Sequence, residues 1–149
     1  PWEVLFGKFV ASAVPYVIVS AVFMIVADIW RGFDFVWFLY GLFGVEMLGL
    51  GLLAVAVGLS VPWAKLDWDD PRKMLPWQTA LLTLAAWLVI GFISGLLLCL
   101  PFFIELFNQP NLVAIMMPLG ALMATLVTGL VAYGALRLGV QSFSKVDEP

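Results

Sequence analysis

The stretch "WQTALLTLAAWLVIGFISGLLLCL", residues 77–100, is a run of 24 residues without a charged side chain. A helix needs roughly 20 consecutive apolar residues to cross the hydrocarbon core of a bilayer. Comparable uncharged runs lie elsewhere in the chain, at residues 9–27, 35–45, 47–64 and 106–136. We therefore predict an all-α integral membrane protein whose main solvent is the bilayer.

The composition agrees with a membrane environment and excludes several kinds of functional site. Of the 149 residues, 64% are hydrophobic and 11% are charged, whereas soluble domains have about a quarter of their residues charged. The chain has no histidine, and its single cysteine, Cys99, excludes an intrachain disulfide and a cysteine-rich metal site. We expect neither a metal nor a cofactor, and we expect no nucleic-acid partner.

Polar residues between the apolar runs divide the chain into four predicted spans within one transmembrane domain, residues 1–149. The spans cover about residues 9–27, 36–62, 77–100 and 118–138. Between the last two spans lies "PFFIELFNQPNLVAIMM", residues 101–117, which is too apolar for a solvated loop. Because Pro101 and Pro110 interrupt this segment, we expect either short re-entrant or interfacial helices or a simple extension of both spans.

The Lys and Arg residues are distributed unequally between the two ends of the spans. Six lie in the N-terminal segment, the loop between spans 2 and 3, and the C-terminal tail, whereas one, Arg31, lies in the other connections. The six are Lys8, Lys65, Arg72, Lys73, Arg137 and Lys145. Because basic residues favour the cytoplasmic side of a membrane, both termini and the central loop are predicted to be cytoplasmic.

The central loop, "SVPWAKLDWDDPRKMLPW" at residues 60–77, holds more than a third of all the charged residues. The chain has 7 Lys or Arg residues and 10 Asp or Glu residues. Six of these charged residues lie between positions 65 and 73. Asp70 followed by Pro71 is typical of a helix N-terminus, with an N-cap and a proline at the first helical position. The loop is either a solvated connector anchored by Trp63, Trp68 and Trp77, or a contact for a partner.

The region "GLGLLAVAVGLSVPWAKLDWDDPRKM", residues 49–74, resembles the permease subunits of ABC-2-type transporters. In those proteins a Gly- and Ala-rich helix often ends in Ser and Pro, followed by an acidic D-W-(D/E)-(D/N)-P loop and a basic residue. The matching residues are Gly58, Ser60, Pro62, Asp67, Trp68, Asp69, Asp70, Pro71, Arg72 and Lys73. The opening "PWEVLFGKFVASAVP" and the tail "VAYGALRLGVQSFSKVDE" are similar to the entry into and exit from permease helices.

This resemblance implies a membrane subunit of a bacterial plasma-membrane exporter, acting as a permease dimer with energy from a separate cytoplasmic ATPase subunit. Family permeases typically have six spans, so four spans and a start at Pro1 without an initiator Met suggest the C-terminal part of a longer permease. A polar cytoplasmic element must transmit the motion of the ATPase, and residues 1–8 and 65–76 are the candidates. The residues assigned to this coupling are Lys65, Asp67, Trp68, Asp69, Asp70, Pro71, Arg72 and Lys73.

Glu46 is the one acidic residue inside a predicted span. Intramembrane carboxylates are costly and often mark ion or proton paths, so Glu46 serves either transport or coupling, or structural hydrogen bonding. If the hydrocarbon begins near Gly41, Glu46 lies about 7–8 Å deep. Gly91 and Gly95 form a G-x-x-x-G pattern, which we interpret as packing within the chain rather than between subunits, as for Gly49, Gly51, Ala54 and Gly58 of span 2.

Three further function classes compete with the permease. An enzyme is disfavoured because the chain has no His, no spaced pair of intramembrane carboxylates, and no base beside Cys99. A membrane scaffold or assembly protein fits the composition equally well. An ion-coupled transporter would need more than one buried ionisable group, and Glu46 is the single candidate. Near the predicted outer surface, Glu105, Asn108 and Gln109 are expected at the interface, with a contact to substrate as the alternative.

Overall fold

The computed structural model describes residues 2–61 and 77–144, with side chains up to residue 142. The helices are α1 (Trp2–Arg31), α2 (Phe35–Ser60), α3 (Trp77–Val89), a π-helical segment (Ile90–Ser94), α4 (Gly95–Glu105) and α5 (Pro110–Ser144). The α3 helix, the π-helical segment and α4 form one continuous stretch, Trp77–Glu105. The described residues thus contain four helical stretches long and apolar enough to cross a membrane. The prediction of an all-α, multi-pass membrane protein is confirmed.

The helices extend beyond the limits that hydropathy predicts. The first predicted span, residues 9–27, excludes the charged residues on either side of it. Four of these residues are nevertheless helical and belong to α1: Glu3, Lys8, Asp28 and Arg31. Hydropathy detects the part of a helix that lies in hydrocarbon, whereas backbone hydrogen bonding continues into the interface until a residue stops it. Here Gly32 ends α1, because its φ of 65° is left-handed and its N–H donates to Asp28 O at 2.7 Å.

The two short connections place the helices in alternating directions. Residues 32–34 join α1 to α2, and residues 106–109 join α4 to α5, so both turns lie at the same end of the bundle. Lys8 near the start of α1 and Arg137 near the end of α5 lie toward the opposite end. This arrangement fits the predicted topology, and which end faces the cytoplasm stays a prediction.

Between the last two spans the structure shows the simple extension rather than re-entrant helices. Pro110 begins α5, where a proline fits because the first N–H of a helix has no intrahelical partner. Pro101 lies inside α4, and its missing N–H leaves the carbonyl of Leu97 without its usual partner. That carbonyl lies against Gly120 of α5, where an added Cβ would be 2.7 Å from Leu97 O.

The central helix of the bundle is α2, which contacts every other described helix. Its small residues allow close approach, since a Cβ on Gly58 would lie 2.5 Å from the backbone carbon and oxygen of Ala135. α5 also approaches the backbone of α2 closely, because a Cβ on Gly139 of α5 would lie 2.7 Å from Gly58 O. Gly51 faces the Thr128 side chain in the same seam. The prediction that the small residues of span 2 pack within the chain is confirmed.

The corresponding interpretation of Gly91 and Gly95 is wrong. A Cβ on either glycine would meet nothing within 4 Å, so neither glycine packs against another helix of the described chain. A five-residue π-helical segment, Ile90–Ser94, includes Gly91 and ends just before Gly95. Ile90 and Ser94 face the core instead, and both side chains are fully buried.

Candidate functional site

The predicted coupling residues between positions 65 and 73 lie outside the described part of the chain, as do all residues 62–76. What the structure does describe is the pair of helices that this segment joins. α2 ends at Ser60 and α3 begins at Trp77. The segment therefore connects the central helix directly to the stretch that carries the π-helical segment. The role of the eight assigned residues stays a prediction.

Glu46 of α2 lies in the seam with α1, in contact with Ser20. The hydroxyl of Ser20 lies 2.6 Å from Glu46 Oε1, and this serine is 8% exposed. The same hydroxyl also lies 2.8 Å from Tyr16 O and 3.1 Å from Val17 O, which are acceptors on its own helix. A hydroxyl donates one proton, so at any moment Ser20 donates a hydrogen bond either to the Glu46 carboxylate or to a carbonyl of its own helix.

Tyr16 forms a second contact in the seam between α1 and α2. Its hydroxyl donates to Val45 O at 2.8 Å, one residue before Glu46. Its ring lies over Gly49, where any side chain would collide with it. We call Tyr16, Ser20 and Glu46 the seam cluster. Sequence reasoning found Glu46 but missed Tyr16 and Ser20, because single Tyr and Ser residues are common in membrane helices and carry no pattern.

The second carboxylate oxygen of the seam cluster has no hydrogen-bond partner among the described residues. Glu46 Oε2 is buried and accepts no hydrogen bond in the described part of the chain. Glu46 lies eleven residues after Phe35, so the carboxylate is about 16 Å along α2 from the start of the helix. An intramembrane carboxylate with a free oxygen can hold a proton or share a cation. Residues 2–61 and 77–142 contain no group of three His, Cys, Asp or Glu able to bind a metal ion.

A second polar contact joins the π-helical segment to α5. Ser94 Oγ lies 2.9 Å from Thr128 Oγ1 and 3.4 Å from Ala124 O, and both hydroxyl residues are buried. Trp87 Nε1 adds a bond to Leu52 O at 3.1 Å. These hydrogen bonds fix the middle of the third span against α2 and α5. The single proton of the Ser94 hydroxyl is donated to Ala124 O or to Thr128 Oγ1, so we interpret this contact as structural.

The residues predicted at the outer interface do come together. Glu105, Asn108 and Gln109 line an open pocket of about 620 Å³ with Trp37 of α2. The Trp37 ring is held by Phe102, with 4.3 Å between ring centroids. The pocket thus combines one carboxylate, two amides and an indole, but its polar residues are exposed.

Comparison of the chain with protein-family models, characterised proteins and solved structures found no match. The resemblance to ABC-2-type permeases therefore depends on the residues quoted for it, chiefly the acidic and tryptophan-containing loop. Membership of that family stays a prediction.

Proposed function

We propose that this chain is a membrane-spanning permease subunit of an ATP-driven, ABC-2-type exporter in a bacterial plasma membrane. In this proposal residues 65–73 form the cytoplasmic contact with a separate ATPase subunit. Two permease subunits enclose the path of the substrate, and the chain itself hydrolyses no ATP. The observation that carries the proposal is the place of the charged segment, which joins the central helix to the third span.

A contact at this segment would be well placed to move the membrane helices. α2 touches all the other described helices, so a displacement of its end would be transmitted to every one of them. The backbones of α2 and α5 meet at Gly58 and Ala135, close to the end of α2. Packing at backbone contact leaves little freedom for one helix to move without the other. α2 and α5 would therefore move together when the ATPase subunits close.

The proposal is tested by affinity purification of the full-length protein from membranes in mild detergent, followed by mass spectrometry. We expect a near-stoichiometric nucleotide-binding subunit to remain bound. Replacement of Asp69, Asp70 and Arg72 by Ala should remove at least about 90% of this subunit, since truncating buried charge pairs at an interface costs 2–5 kcal/mol.

The matched control changes charges at the other end of the bundle. Arg31→Ala with Asp34→Ala alters the turn between α1 and α2, far from the proposed contact, and should leave the ATPase subunit bound. If the wild-type protein purifies without any ATPase, the permease proposal fails. Equal loss in both variants would also contradict it, because the loss would then not depend on the charged segment.

The second candidate is an ion-coupled transporter, favoured by one observation: Oε2 of Glu46 is buried and has no hydrogen-bond partner among residues 2–61 and 77–142. Such a protein would use the seam cluster to take up and release a proton or a cation. It would need no ATPase, so a chain that purifies alone yet transports with an ion gradient supports this candidate. The permease remains our first proposal because the seam cluster holds a single ionisable carboxylate, whereas carriers of this kind usually use several buried polar groups.

A further inference from the structure

The open pocket at the turn between α4 and α5 continues into a second cavity that runs along the bundle. The first cavity, of about 620 Å³, lies at the end of the bundle that holds both short turns. The second, of about 560 Å³, extends between α2 and α5 as far as Phe43 and Ala121. Val36, Ala114 and Met117 line both cavities, so the two form one groove, which we call the α2–α5 groove.

The α2–α5 groove is polar at one end and apolar along the rest of its length. One carboxylate, two amides and one indole line the polar end: Glu105, Asn108, Gln109 and Trp37. The one polar group in the second cavity is Tyr40, whose hydroxyl already donates to Leu98 O at 3.1 Å. From Pro110 to Ala121 the groove follows α5 for about 16 Å. An amphiphile with its head at the turn and its tail along the spans matches this shape.

The polar end of the groove carries opposite charges on its two sides. Glu105 is the last residue of α4, where its carboxylate and the negative end of the helix dipole both favour a cation. Pro110 is the first residue of α5, and the positive end of that helix favours an anion such as phosphate. Glu105 forms no ion pair within residues 2–61 and 77–142. A zwitterionic head group fits this distribution, whereas a purely anionic one would meet a carboxylate that no described basic residue neutralises.

The turn that presents these groups is fixed by its own backbone. The N–H of Asn108 donates to Glu105 O at 2.9 Å, and the N–H groups of Leu112 and Val113 both donate to Gln109 O at 3.1 Å. Asn108 has a φ of 53°, a left-handed conformation that asparagine adopts more readily than most residues. The side chains of Glu105, Asn108 and Gln109 are exposed, so a head group can reach all three without a rearrangement of the helices.

We propose that the α2–α5 groove binds one phosphatidylethanolamine molecule of the bilayer. Its primary ammonium, which has three N–H donors, pairs with the Glu105 carboxylate. Its phosphate accepts from the amides of Asn108 and Gln109 beside the start of α5, and one acyl chain fills the apolar part between α2 and α5. The acyl chain supplies the dispersion contacts that the walls of an empty groove would lack. The proposal does not depend on the exporter function, since it uses residues of α2, α4 and α5 alone.

The test compares two lipids that differ in the ammonium. The full chain is mixed in detergent with phosphatidylethanolamine or phosphatidylglycerol of equal acyl chains, and retained lipid is measured by native mass spectrometry. We expect the wild-type chain to retain phosphatidylethanolamine about fivefold better, the upper limit for an ion pair with an exposed carboxylate. Glu105→Gln keeps the shape but removes the charge, so it should abolish this preference. Glu3→Gln makes the same change at the opposite end of the bundle and should keep it.

Two further variants separate the groove from general lipid binding. Ala114→Phe places a ring where the two cavities meet and should lower retention of both lipids. Ile115→Phe adds a ring at the next residue of α5, which lines neither cavity, and should change neither lipid. The proposal is overturned if the wild-type chain retains both lipids equally. It is also overturned if Glu105→Gln keeps the preference while circular dichroism shows it folded, or if Glu3→Gln removes the preference as completely.

Discussion

Replacement of Gly58 by Leu is expected to lower the free energy of unfolding by about 3 kcal/mol, the upper part of the range for overpacked cores. A Cβ at this position would lie 2.5 Å from the backbone of Ala135, and backbone atoms cannot move aside as a flexible side chain can. The leucine must therefore push α5 away from α2 and disrupt the tightest seam of the bundle. Unfolding by titration with SDS in mixed micelles measures the change.

Gly129→Leu is the matched control on α5. A Cβ on Gly129 meets nothing within 4 Å, so a leucine there would point toward lipid. Helix propensity favours leucine over glycine by somewhat under 1 kcal/mol, so this variant should be as stable as the wild type or slightly more stable. Equal destabilisation by both variants would contradict the described packing of α2 against α5.

Ser20→Ala is expected to destabilise the protein by about 2 kcal/mol, whereas Glu46→Leu should be close to neutral. The asymmetry follows from the partners that each group has. Without Ser20, neither oxygen of the Glu46 carboxyl has a hydrogen bond from the described residues. Without Glu46, the Ser20 hydroxyl can still donate to Tyr16 O, which lies 2.8 Å away.

The double variant completes this test of the seam cluster. With both partners replaced, no polar group of the pair is left without a hydrogen bond. The free energy of unfolding of the Ser20→Ala, Glu46→Leu double variant should therefore lie within about 0.5 kcal/mol of the wild-type value. The same SDS titration reports all three variants. If Glu46→Leu alone proves as costly as Ser20→Ala, the carboxylate makes a further contact and our description of Oε2 is wrong.

The four spans were predictable because hydropathy integrates over many residues, while the ends of the helices were not. Pro118, taken as the start of span 4, lies inside α5, which begins at Pro110. A proline marks a helix start or an internal position equally well in a membrane, where neighbouring helices can satisfy a freed carbonyl. The Leu97 carbonyl, which Pro101 frees and which lies against Gly120, is one such group, and no local pattern signals that contact.

The candidate site shows the same division between local and long-range information. Glu46 was identifiable because one carboxylate in a long apolar run is conspicuous on its own. Its partner Ser20 lies 26 positions away in another helix. Which residue of α1 contacts Glu46 depends on how α1 is rotated about its axis relative to α2. The burial of Thr79 was equally invisible, because it depends on packing that the sequence pattern does not specify. The glycines were ambiguous for a related reason, since a G-x-x-x-G pattern does not show which face of its helix meets a neighbour, and Gly91 and Gly95 meet none of the described helices.

The most direct test of the central claim, an ATPase contact at the charged segment, is photo-crosslinking in living cells. A photoreactive amino acid replaces Trp68 in one variant and Phe33, in the turn between α1 and α2, in the other. We expect a crosslink from position 68 to a nucleotide-binding subunit and none from position 33. A crosslink to that subunit from position 33 but not from 68 would contradict an ATPase contact at the charged segment, as would efficient crosslinking at 68 to lipid alone.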